Sequence, residues 1–334
     1  MKKLSAIALA LALTLALLAG CAAAPAATDE PAAPAEKQVV RLASLKGPTT
    51  MGLVRLLEDA KAGSLSYSVE SEIYGTADEV SALLSNGGVD MAAIPCNLAS
   101  VLYNKTEGAL KVAAVNTLGV LYVVETGETI SSVADLKGRT VYSTGKGTSP
   151  EYVLNEILAL NGLDPAADLT IEFKNEATEI AGLLSQQDSD AVAVLPQPYA
   201  TTVLMQNESA RLALDLTEEW EKAGAEGSPV TGVLVVNSEF AAAHPEAVDA
   251  FLADYKASVN WVAANPEDAS ALIESYGIVA KAAVALKALP YCNIVFESGE
   301  TMKSDVSAYL AVLFEQNPKA VGGALPDDAF YYGV

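Results

Sequence analysis

One stretch of this sequence is written twice, and the repeat restricts the fold more than any other feature. Residues 79–90 read EVSALLSNGGVD, and residues 179–190 read EIAGLLSQQDSD. Glu79, Leu83, Leu84, Ser85 and Asp90 recur as Glu179, Leu183, Leu184, Ser185 and Asp190. The apolar segments that follow, MAAIP and AVAVLP, both close on proline, at Pro95 and Pro196. Upstream, residues 39–54 and 140–153 both read as a strand, a loop bearing Gly and Thr, and a helix. An amphipathic stretch followed by a short apolar run is the pattern of a helix feeding a buried strand. The same spacing over the whole unit predicts two similar α/β lobes. A solenoid is not expected, because two copies are too few to stack.

The rest of the chain agrees with an α/β class. Val39–Leu45, Tyr67–Tyr74 and Val89–Ile94 are short β-rich runs, each followed by a helical stretch, which predicts mainly parallel sheets flanked by helices. Thr76 with Glu79 forms a capping box. Ser149-Pro150-Glu151 and Asn265-Pro266-Glu267 each offer a cap residue, an early proline and an acid at the positive helix end. Residues 112–124 read as one long strand closing the first lobe. Residues 125–132 are rich in turn formers and lead into the second lobe. Residues 217–229 (TEEWEKAGAEGSP) are polar, and Val230–Val236 is again a strand that returns to the first lobe. Helices follow over 246–263 and 267–275. The expected division is 37–126 plus 230–334 for lobe one and 127–229 for lobe two, with two crossovers forming a hinge and a cleft between the lobes.

The N-terminus has a separate role. Lys2 and Lys3 precede an apolar and small-residue run over 4–20, the pattern of an export signal. The run is shorter than the ~20 residues a membrane span needs. It ends Leu18-Ala19-Gly20-Cys21, which resembles a bacterial lipobox; the resemblance implies that Cys21 becomes the lipid-bearing first mature residue. Residues 1–20 are thus read as a lipoprotein signal peptide. Residues 21–36, rich in Ala and Pro without periodicity, are read as a disordered tether.

Charge and composition narrow the function. Asp and Glu number 42 against 20 Lys and Arg, a formal net charge of −22. So acidic a chain repels a phosphate backbone, and no nucleic-acid partner is expected. The one histidine, His244, rules out a two-His metal site, and it precedes Pro245 where a helix cap is expected. Three cysteines cannot build a disulfide framework or a four-Cys zinc site. Cys96 and Cys292 read as buried free thiols rather than a bridge. No nucleophile–base pair stands out; no catalytic residue, metal or cofactor is expected.

Ligands of open α/β sheets sit beyond the carboxyl ends of the strands, at helix N-termini. In lobe one those loops carry Lys46, Gly47, Thr49, Thr50, Tyr74, Thr76, Cys96 and Asn97. In lobe two they carry Thr144, Lys146, Thr148, Ser149, Asn175, Gln197 and Tyr199. Glycine lets backbone approach a ligand, and hydroxyls stand beside free N–H groups. Tyr74, Tyr199 or Tyr291 could cover an apolar ring. Lys46 and Lys146 could hold an anion from opposite walls. Residues 143–149 match neither the phosphate-loop nor the dinucleotide spacing. Asp90 and Asp190 fall at strand starts, away from the ligand end, and read as structural. Only Arg41, Arg55, Arg139 and Arg211 exist, none clearly in the cleft loops, so a bidentate Arg clamp is not expected.

Four segments carry a family resemblance. Residues 132–139 (SVADLKGR), 145–149 (GKGTS) with the helix ending at 160–164 (LNGLD), 190–198 (DAVAVLPQP) and 244–251 (HPEAVDAF) are similar to segments of ABC-importer solute-binding proteins. The type resembled is the periplasmic-binding-protein type 2 fold of the NMT1/THI5-like group, which includes sulfonate, taurine and nitrate binders. Gln197 stands where that group usually has Glu. The resemblance covers about residues 38–315. It implies a two-lobed clamp, lipid-anchored on the outer face of the cytoplasmic membrane, monomeric, that captures a small organic solute and delivers it to an ABC permease with its ATPase. The solute is expected to be an anion, a heteroaromatic, or a molecule combining both. An exported enzyme of the same fold, pyrimidine-synthase-like, and a ligand sensor for a membrane receptor are the alternatives. The enzymes of that type carry a cysteine-rich motif and active-site histidines that this chain lacks.

Overall fold

A computed structural model describes residues 37–186 and 190–334; the expected signal peptide, Cys21 and the tether lie outside the described residues. The β-rich runs form β1 (Val39–Leu45), β2 (Ser68–Tyr74), β3 (Met91–Pro95), β4 (Leu110–Thr117), β5 (Leu121–Thr126), β6 (Thr140–Ser143), β7 (Thr170–Phe173), β8 (Val192–Pro196), β9 (Ala210–Asp215), β10 (Gly232–Asn237) and β11 (Ile294–Glu297). The helices that matter below are α1 (Pro48–Met51), α2 (Val54–Lys61), α3 (Ala77–Ser85), α4 (Cys96–Lys105), α5 (Ser149–Leu160), α6 (Ala177–Leu184), α7 (Tyr199–Gln206), α8 (Leu216–Lys222), α9 (Ser238–Ala243), α10 (Pro245–Ala264), α11 (Pro266–Ser275), α12 (Ala282–Ala288) and α13 (Gly299–Gln316).

The strands make two sheets. One runs in the order β11-β4-β10-β3-β1-β2 and the other β7-β6-β8-β5-β9. The repeated sequence is a repeated structure: β1 pairs in parallel with β2 and β3, and β6 pairs in parallel with β7 and β8. The strands that carry the chain between sheets run the other way. β10 is antiparallel to β3 and β4, and β5 is antiparallel to β8 and β9. Each sheet is therefore mixed rather than mainly parallel.

The expected long strand over 112–124 divides. β4 ends in the first sheet, Leu118, Gly119 and Val120 turn, and β5 opens in the second sheet. The change of sheet thus falls before residue 121, not at the expected 126. Each half is apolar enough to be a buried strand by itself, so the pattern alone did not separate them. The return strand was legible: β10 re-enters the first sheet beside β3. α10 and α11 likewise fall where expected.

Both faces of the first sheet are covered. In β3, Met91 and Ala93 pack with Leu53, Leu56, Phe251 and Tyr255 on one side. Ala92 and Ile94 pack on the other, in a cluster that continues through Val153 and Ile157 of α5 to Val306, Tyr309 and Leu310 of α13. That cluster joins the two sheets by apolar contact. Asn317 Nδ2 donates to Tyr152 Oη at 2.8 Å, and Gln316 Nε2 donates to Tyr152 O at 3.0 Å, fixing the end of α13 to α5.

The two repeat aspartates hold matching ion pairs. Asp90 accepts from the Arg41 backbone N–H at 2.8 Å and from its Nε at 3.0 Å. Asp190 pairs with Arg139 at 3.2 Å. Both close the strand ends opposite the cleft loops, as their structural reading anticipates. Cys96 and Cys292 are buried free thiols, and burial pushes the Cys292 thiol up to about 12. His244 stands at the junction of α9 and α10, its ring 5.1 Å from that of Phe240.

Candidate functional site

The loops at the carboxyl ends of β1 and β3 meet the loop after β6 across a cleft of about 420 Å³. Thr49, Asn97 and Leu98 line it from the first sheet's side. Thr148, Ser149 and Pro150 line it from the second, and Thr231 from the returning crossover. Local chemistry places each group. Pro95 ends β3, and α4 starts at once, which sets Asn97 in its first turn. Thr148 caps α5, with its Oγ1 donating to Gly145 O at 2.6 Å, and Pro150 follows in the first turn. Ser149 Oγ donates to Asn97 Oδ1 at 3.3 Å, a hydrogen bond that spans the cleft. Asn97 Nδ2 donates to Ala320 O at 3.4 Å, which orients its amide.

Four of the fifteen expected binding residues thus share one cavity wall: Thr49, Asn97, Thr148 and Ser149. The others lie on the same loops but outside that lining. Thr50 is fully buried, and its hydroxyl donates to Leu45 O. Cys96 is buried in the core shared by the sheets. Gln197 is 2% exposed; its Oε1 accepts from Thr201 Oγ1 at 2.7 Å, and its Nε2 has no partner. Gly47 precedes α1 with φ 120°, a conformation that favours glycine. Tyr74 donates to Glu72 at 2.8 Å, and Thr76 donates to Glu79 at 2.7 Å. Lys46, Asn175 and Tyr199 are exposed, and Thr144 is half-buried. Lys146 is exposed with Nζ 5.8 Å from the centre of the Phe173 ring. Tyr291 meets Tyr122 edge-on at 5.9 Å.

The arginines are committed elsewhere. Arg41, Arg55, Arg139 and Arg211 pair with Asp90, Asp59, Asp190 and Glu125. Glu125 is 1% exposed. Burial pushes its carboxyl up, but donation from Ile130, Thr129 and Arg211 outweighs this and holds it below the ordinary range. Among the described residues, no group of three or more His, Cys, Asp or Glu could hold a metal ion, and no helix is long and apolar enough to cross a membrane.

Sequence reasoning missed Ala77, Leu98, Pro150 and Thr231 as cleft residues. Thr231 had a signal: it falls at the start of the strand predicted over Val230–Val236 to return between lobes. Ala77 and Leu98 carry no polar group by which to single them out.

Two helix-flanked mixed sheets joined by two crossovers make the fold periplasmic-binding-protein-like. A family model described as "NMT1/THI5 like" matches residues 69–269, and the chain belongs to that family. Among solved structures, it is similar to an ABC transporter protein from Parabacteroides distasonis, with 26% identity and a TM-score of 0.74, over 89% of this chain and 99% of that one. The periplasmic aliphatic sulphonate binding protein of Escherichia coli matches at 17% identity and TM-score 0.68, over 86% and 91%. The periplasmic nitrate-binding protein of Synechocystis matches at 14% and 0.52, over 72% and 66%. A comparison with curated proteins finds no match.

Proposed function

We propose that this chain is an extracytoplasmic, lipid-anchored solute-binding protein that captures a small organic solute in its cleft and delivers it to an ABC permease with its ATPase. The observation that carries the reading is the cleft itself. Hydrogen-bonding side chains from both sheets, Asn97 and Ser149 above all, face one space of about 420 Å³, within the range of small-molecule sites. The lobes built on the two sheets would move about the two crossovers. A solute that touches both sides prefers the closed form, and that preference alone shifts the equilibrium.

Binding without catalysis suits the lining. Hydroxyls, a carboxamide, prolines and alkyl groups bind and orient, but they do not exchange protons near neutral pH. A lipid on Cys21 and the tether over 21–36 would keep a monomeric clamp close to its permease and raise its effective concentration there. Cys21→Ser should move the protein from the membrane fraction to the soluble one. Expected site residues outside the cavity wall, Lys46, Gly47, Tyr74, Lys146 and Tyr199 among them, are assigned to its rim.

The test is a thermal-shift screen of residues 22–334 against sulfonates, nitrate, pyrimidines, vitamins and amino acids, followed by solution scattering. A true solute at one hundred times its Kd adds ~2.7 kcal/mol of stability and reduces the radius of gyration. If no compound stabilises the protein and none compacts it, the reading fails.

A further inference from the structure

Behind the cleft lies a second, smaller cavity of about 120 Å³. It shares Ser149, Pro150 and Thr231 with the cleft wall, so the two spaces adjoin. Its remaining boundary is largely apolar: Val120 and Leu121 from the first crossover, Val153 from α5, Leu216 from α8, and Tyr309 from α13. The polar exception is Thr217. Its Oγ1 is buried without a hydrogen-bond partner. A Cβ on the facing Gly119 would stand 2.1 Å from that oxygen, so only glycine leaves the hydroxyl its place.

Charge is the second observation. Every residue lining either space is uncharged. Two of the helix starts at the cleft, those of α5 and α3, already hold carboxylates of their own, whereas α4, which carries Asn97, has none in its first turn. Glu151 accepts from the Gly147 N–H at the start of α5. Glu79 accepts from the Thr76 N–H at 3.2 Å at the start of α3. An entering anion would meet like charge at those two helix starts, and all four arginines are engaged in ion pairs.

We propose that the inner cavity is a subsite for the apolar end of an uncharged solute whose polar edge meets Asn97, Ser149 and Thr231. The chamber is somewhat smaller than the ~150 Å³ apolar cavity that holds benzene, so it takes a branched alkyl group of a few carbons. This inference rests on the reading of the cleft as a solute site, and it parts from the sulphonate and nitrate named for the structural neighbours.

Residues 22–334 are titrated by ligand-observed NMR with four probes: isobutyramide, its isosteric anion isobutyrate, the shorter acetamide, and nitrate. Isobutyramide should bind about tenfold more tightly than acetamide, as two further buried carbons require, and at least tenfold more tightly than isobutyrate. Val153→Phe, which fills the chamber, should erase the preference for isobutyramide over acetamide while acetamide still binds. Failure of all four probes to bind, or binding of acetamide equal to isobutyramide, overturns the subsite. If isobutyrate or nitrate binds best and compacts the protein, the uncharged-solute inference falls while the solute-binding reading stands. If Val153→Phe does not fold, the wild-type ratios decide alone.

Discussion

Gly232 opens β10 where the chain returns to the first sheet, and it stands directly behind the cleft wall. Its backbone is ordinary, so only space is at issue. A Cβ there would lie 2.5 Å from Asn116 Oδ1 and 2.5 Å from Thr49 Cγ2. Neither neighbour yields easily. Asn116 is fully buried, and its Oδ1 accepts from Thr117 Oγ1 at 3.0 Å. Thr49 is 8% exposed and lines the cleft. Unstrained carbon contacts lie at about 3.5–4.0 Å, so each must retreat by about 1 Å. Overpacking of this kind costs ~1–3 kcal/mol. Disturbing the Thr117 hydrogen bond adds ~1 kcal/mol, while the buried methyl and the stiffer unfolded chain return about 1.5 kcal/mol. Gly232→Ala should therefore lose about 1.5 kcal/mol, or about 3–6 °C of Tm at ~2–4 °C per kcal/mol. Gly182 in α6 is the control, since nothing lies within 4 Å of the point where an alanine methyl would stand. Gly182→Ala should gain up to ~1 kcal/mol of helix stability. Calorimetry on residues 22–334 measures both. A Gly232→Ala protein that melts within 1 °C of wild type refutes the packing argument, as does an equal loss at Gly182.

Four further outcomes follow from the buried polar groups and thiols. Arg211→Met leaves the Glu125 carboxylate buried beside fewer donors and should cost about 3 kcal/mol in urea unfolding at pH 7. Because Glu125 is held below its ordinary range, its contribution is present above the unfolded value of about 4.3 and is lost as pH falls through the folded one; Glu125→Gln should flatten that acid limb. Glu297 is the opposite case: burial and the neighbouring Asp305 hold its carboxyl above its ordinary value, so its stability is present below the unfolded value and is lost as pH rises through the folded one. Glu297→Gln should then raise Tm at pH 7 and leave it unchanged near pH 4. In a Cys21→Ala background, a thiol reagent should label Cys96 and Cys292 only after unfolding, and rapid labelling of the native protein would contradict their burial.

The repeated halves were legible because helix and strand periodicities survive in short windows. Leu84 and Leu184, Pro95 and Pro196 announce the same unit twice, and the structure repeats it. The aspartates at the strand starts were equally readable from their matched positions: buried Asp90 needs a donor and Arg41 supplies it, while Asp190 pairs with Arg139 although its side chain is exposed. The break between β4 and β5 was hidden because exchanging sheets leaves the apolar pattern unchanged; only Gly119 marks the turn. Side-chain direction within the loops was also hidden. Thr49 and Thr50 are adjacent and chemically alike, and both hydroxyls donate to Leu45 O, yet only Thr49 also lines the cleft. The inner chamber is assembled from Gly119, Val153, Thr217 and Tyr309, which are remote in sequence and mostly apolar, so no local motif foretells it.

The central claim is that the space between the two sheets takes one small solute. Residues 22–334 can be equilibrated with a small-molecule extract of growth medium, dialysed, and weighed intact by native mass spectrometry. Ala77 lines the cleft mouth without a polar side chain to lose, so Ala77→Trp blocks the space while keeping its hydrogen bonds. The account predicts that the wild-type protein retains one small molecule per chain and that the Ala77→Trp protein, equally folded, retains none. Equal retention by both, or none by the wild type, contradicts it.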